Sequence, residues 1–141
     1  MIAKRVVLMA AAILLLGLEF AVAQEDLRVR VDQLYLGWQK EEPKLIWDVL
    51  SPEMKEHTEF GKYASNLKKF FRGTKLGEFK VKEEITTVSK TQALVDTDVL
   101  ILLGLENKKV YAIDTTRWIL IGPENTWYFA GTKGTTQVRE R

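Results

Sequence analysis

The chain has 141 residues, of which 46% are hydrophobic and 28% charged, the make-up of a single globular domain and not of a fibre or a disordered segment. A net charge of +2 supplies no field for steering nucleic acid, and the absence of cysteine excludes disulfides and thiolate metal sites.

Lys4 and Arg5 precede an uncharged apolar run from Val6 to Leu18. Ala21-Val22-Ala23 then forms a small-x-small site before polar Gln24-Glu25-Asp26. This is the order of a secretory signal peptide. A spanning helix needs about 20 apolar residues, and this run is shorter and is interrupted by Glu19. Residues 1–23 are therefore expected to be a signal peptide cleaved after Ala23. The product is an exported chain, periplasmic or secreted, with no stable membrane anchor. Losing Lys4, Arg5 and Glu19 leaves it close to neutral, and nucleic acid is not an expected partner. The Lys68-Lys69 and Lys108-Lys109 pairs read as solvated positions.

Leu27, Val31, Leu34, Tyr35 and Trp38 recur at helical spacing and predict a first helix with one apolar stripe. Pro43 suits the first turn of a second, short helix burying Leu45, Ile46, Val49 and Leu50. Ser51-Pro52-Glu53 has the order of a cap and a first-turn proline, and predicts another short helix. A further helix is expected after Thr58, with Tyr63, Leu67, Phe70 and Phe71 as its apolar face. Gly73 would end it in the left-handed conformation.

From Leu76 the period changes to two, with Phe79, Val81 and Ile85 alternating with polar residues. After a turn at Ser89-Lys90-Thr91, strands are predicted over Leu94–Leu103, Val110–Ile121 and Thr126–Ala130. Short loops between them imply antiparallel pairing. Residues 24–131 should thus form one α+β domain, and 132–141 a flexible polar tail.

The order of helices with a Ser-Pro break, followed by long strands and a last strand Asn125-Thr126-Trp127-Tyr128-Phe129-Ala130-Gly131, resembles the nuclear transport factor 2-like (cystatin-like α+β) superfamily, as an exported bacterial member. The resemblance spans the expected mature chain. It implies N-terminal helices packed on a curved antiparallel sheet, cone-like, with a pocket at the open end. Some members are isomerases or dehydratases and many are binding modules, so the fold does not choose the function.

His57, the lone histidine, sits among Glu53, Glu56 and Glu59; it reads either as a general base or, more simply, as a solvated side chain. Its surroundings match no metal motif, and neither a metal nor another cofactor is expected. Asp96 and Asp98 share one strand face, with Asp114 on the next strand. They are candidate general bases, with Tyr111 or His57 nearby, or else surface pairs together with Arg117. On the first of these strands, Val95, Thr97, Val99, Ile101 and Leu103 make the better core face. Trp38, Trp47, Trp118, Trp127 and Tyr63 could line an apolar ligand pocket or be plain core.

The leading expectation is an extracytoplasmic, non-catalytic module that binds a small apolar ligand or a protein partner. The alternatives are an isomerase- or dehydratase-like enzyme using a pocket carboxylate, and a structural homodimer.

Overall fold

The computed structural model describes residues 25–138. The expected leader lies outside them, as do residues 139–141 of the expected tail. Helix α1 covers residues 25–39 and places Leu27, Val31 and Tyr35 on its buried side. A turn with Glu41 at positive φ leads into α2, Pro43–Val49, with proline in its first turn. A Cβ on Gly37 would lie 2.7 Å from Ile46 Cγ1, so glycine is what lets α1 and α2 approach. Ser51 caps α3, Pro52–Glu56, by accepting from Met54 N–H at 3.3 Å.

Helix α4, Phe60–Gly73, packs Tyr63, Leu67 and Phe71 against Ile46 and Leu50. Gly73 does not terminate it in the left-handed region. The cap is Thr74 at φ −140, and the chain passes straight into a strand. No chain reversal is needed there, and the Gly73 carbonyl accepts from Gly104 N–H at 2.9 Å.

Strands β1 (Thr74–Ser89), β2 (Gln92–Leu103), β3 (Lys108–Ile121) and β4 (Thr126–Gln137) form an antiparallel sheet in that order. The fold is therefore α+β, as expected. Each strand is longer than its alternation suggests, and the expected tail is corrected in part. Residues 132–137 are the second half of β4, paired as far as Ala112↔Gln137. Two register shifts make this possible by leaving Ala130 and Lys133 as extra residues on β4. Gly131, at φ 122, supplies backbone freedom at the first of them.

The helices cover one sheet face. Ala93, Val95 and Val99 of β2 and Ala112 and Trp118 of β3 form the main core with Leu27, Val31, Tyr35 and Trp127. Arg30 fastens the layers. It donates to the backbone carbonyls of Trp127 and Asp48, and its guanidinium lies 5.0 Å from the Tyr128 ring centroid. On the opposite face Leu94, Leu100, Leu102, Ile113 and Ile119 stay half-buried and belong to neither core cluster.

Candidate functional site

Strand β3 turns Ala112, Asp114, Thr116 and Trp118 to the helix-covered face, because residues two apart share a side. Thr97 is directly opposite Asp114 on β2. The β4 bulges bring Thr135 opposite it on the other flank. Helix α1 lowers Tyr35 onto the same spot, so Tyr35, Thr97 and Asp114 make a buried polar island in an apolar core, and exposed Thr135 meets it from the rim.

The Tyr35 hydroxyl donates to Asp114 Oδ2 at 2.7 Å, and Thr135 Oγ1 donates to Oδ1 at 3.0 Å. Tyr35 is 1% exposed and Asp114 8%. Such short bonds from neutral donors to a carboxylate are strong, and they offset the cost of burying the charge. Burial pushes the Tyr35 phenol well above its ordinary pKa, with the Asp114 charge adding to the rise. The Thr116 hydroxyl donates to the Val95 carbonyl at 3.3 Å and accepts from Trp118 Nε1 at 2.9 Å. Thr97 Oγ1 is buried beside this group without a hydrogen-bond partner. The ring of Tyr35 stacks on Phe79 with centroids 5.5 Å apart, which holds the hydroxyl in line.

The candidate carboxylates therefore separate. Asp96 and Asp98 point to the other sheet face. There Asp96 accepts from Thr115 Oγ1 at 2.5 Å, and exposed Asp98 lies 3.9 Å from Lys82. Asp114 is not a surface partner of these two or of Arg117, since the pleat carries it to the core. Tyr111 is 38% exposed, one of the large hydrophobic side chains left open to solvent. His57 is exposed at the C-terminal end of α3. Among the described residues no three His, Asp or Glu side chains converge to hold a metal ion.

The candidate aromatics also divide. Trp118 is fully buried in the main core and meets Phe129 edge-on at 5.7 Å. Trp127 is 6% exposed, with Nε1 lacking a partner. Half-buried Trp38 donates from Nε1 to the Thr74 carbonyl at 3.1 Å. Trp47 and Tyr63 belong to the second cluster, 5.4 Å apart, where burial raises the Tyr63 pKa. The five do not enclose a common pocket. A groove of about 400 Å³ runs instead along α4, beside Gly61, Ala64, Ser65, Lys68, Lys69 and Arg72, and none of the candidate residues lines it.

Sequence reasoning did not reach Tyr35 as a site residue, nor Thr135. The usable signal was parity on β3: Trp118, if buried, forces Asp114 inward.

No protein-family model matches the chain, and no curated protein matches it in sequence. Solved structures match it in shape. A domain of unknown function with a cystatin-like fold from Nostoc punctiforme superposes with a TM-score of 0.59 at 14% identity, over 84% of this chain and 79% of that one. A candidate dehydratase of the nuclear transport factor 2-like family from Streptomyces avermitilis gives a TM-score of 0.59 at 10% identity, over 84% of this chain and 97% of that one. The protein thus has a cystatin-like α+β fold.

Proposed function

We propose that this is an extracytoplasmic, non-catalytic binding module that takes a protein partner on the sheet face opposite the helices. The observation that supports this reading is the row Leu94, Leu100, Leu102, Ile113 and Ile119, apolar yet outside both core clusters. Asp96, Asp98 and Arg117 interrupt the row on the same face, and a sheet face that mixes apolar and charged side chains suits a protein partner, a second copy of the chain among them. The helix-covered face is a poorer candidate for a small apolar ligand. Tyr35, Phe79, Trp118 and Trp127 pack into it, and Asp114 is engaged by two hydroxyl donors.

Site-specific photocrosslinking in the host tests the reading, with the probe at Leu100 or Ile113 and a control at Lys90 in the β1–β2 turn. A discrete crosslinked product from the face alone is expected. Labelling no stronger than at Lys90 would sink the idea. Export itself is tested by N-terminal sequencing of the recovered protein, which should begin at Gln24.

The dehydratase-like reading draws on one observation, the buried carboxylate–phenol pair of Asp114 and Tyr35, together with the description of the Streptomyces protein. In that reading Asp114 exchanges a proton with substrate. Asp114→Asn would then abolish turnover while keeping the fold, whereas a structural pair predicts a loss of stability.

A further inference from the structure

One end of the molecule concentrates positive charge around projecting apolar side chains. Helix α4 has no acidic residue and carries Lys68, Lys69 and Arg72 in its C-terminal half, with Lys62 in its first turn. Its C-terminal end meets the β2–β3 turn through the Gly104–Gly73 hydrogen bond of 2.9 Å. The sheet register adds Lys75 and Lys109, both paired with Leu102, and Lys108, paired with Leu103. The ion pairs among the described residues, Lys44–Asp48 and Lys82–Asp98, involve none of these cations. Leu105 projects from the turn fully exposed at 100%, between Gly104 and Glu106, the one acidic residue of the turn; Leu103 at the end of β2 is 39% exposed, and Phe70, 47% exposed, lies in the last turn of α4. The opposite end, with the Ser89–Thr91 and Gly122–Asn125 turns, carries Lys90 and Glu124 and no such cluster.

From this juxtaposition we infer that the α4/β2–β3 end docks reversibly on an anionic lipid surface, with Leu105 and Phe70 entering the headgroup boundary and the lysines facing the phosphates. The chemistry distinguishes a bilayer from a protein partner. The apolar part is a protrusion and not a groove, and the cations are mostly lysine, which protein interfaces avoid and lipid headgroups favour. Long lysine stems can lie along the interface while their ammonium groups stay wet. Among the described residues no helix is long and apolar enough to cross a membrane, so the contact is peripheral. Lys109 adjoins Leu102 at the margin of the partner face proposed above, while Lys108 falls on the other side of the pleat.

The test is cosedimentation with vesicles of the chain from Gln24 onward, which contains every element of the core. Phosphatidylcholine vesicles are compared with vesicles holding about 30% phosphatidylglycerol. Binding to the anionic vesicles is expected, falling steeply between about 50 and about 500 mM salt. Lys108→Glu/Lys109→Glu and Leu105→Asp should each weaken partitioning by about tenfold or more, and Lys90→Glu should leave it unchanged. All of these positions are exposed, and unaltered melting temperatures confirm that the variants fold. Absence of binding, equal binding to neutral vesicles, or binding indifferent to Leu105→Asp would each overturn the inference. Capture of a soluble polyanion without vesicle binding would also overturn it, in favour of simple charge adsorption.

Discussion

The Tyr35–Asp114 bond can be measured by a double-mutant cycle. Tyr35→Phe keeps the ring on Phe79 and removes only the hydroxyl that donates to Asp114 at 2.7 Å. The carboxylate, 8% exposed, is then left with Thr135 as its donor. A hydrogen bond to a charged group contributes about 1.5–3 kcal/mol, so a loss of about 2 kcal/mol is expected. Asp114→Ala strands two donors, the Tyr35 and Thr135 hydroxyls, and opens a small void; about 3 kcal/mol is expected. Once one partner is gone the other has less to lose, so the double variant should fall short of the sum by about 1–2 kcal/mol. Equilibrium unfolding in urea gives all of these values on one scale. Additivity to within about 0.5 kcal/mol would show that the bond carries no coupling, and the structural role assigned to Asp114 would be wrong.

Trp127→Ala should cost about 3–5 kcal/mol, because the indole is 6% exposed and packs in the main core; an unchanged melting temperature would instead make it a surface contact. Gly37→Ala should destabilise by about 1–3 kcal/mol, since the new methyl meets Ile46 Cγ1 at 2.7 Å, and thermal melts read this directly. An alkaline titration probes the buried phenol. The raised Tyr35 pKa means the folded state prefers the neutral form, while an unfolded tyrosine titrates near about 10. The contribution is complete below that pH and is lost as pH climbs above it toward the folded value. Melting temperature should therefore drop more steeply above pH ~10 in the parent than in Tyr35→Phe, and parallel curves would refute the assignment.

Local periodicity was enough to place most of the elements. The Leu27–Val31–Tyr35 stripe, Pro43 in a first turn and the Ser51-Pro52 cap are short-range features whose physics lies within one or two helical turns. Alternation likewise placed Val95, Thr97 and Val99 on the buried side of β2. The β4 extension was not legible, because residues 132–137 are polar and turn-like, with Gly134 among them and Gly131 just before. Their pairing depends on bulges against β3, a property of two strands and not of one.

The candidate site shows the same division more sharply. Sequence alone established that aspartates stand on the strands, but treated Asp96, Asp98 and Asp114 as one group. The register opposes Asp114 to Thr97, one residue out of step with Asp96 and Asp98, and a single step on a pleated strand exchanges core for solvent. Tyr35 reaches Asp114 from 79 residues away, a contact no periodicity encodes. Tertiary packing decided it: helix α1 lies across β3 at that height, and a buried carboxylate persists only where donors meet it.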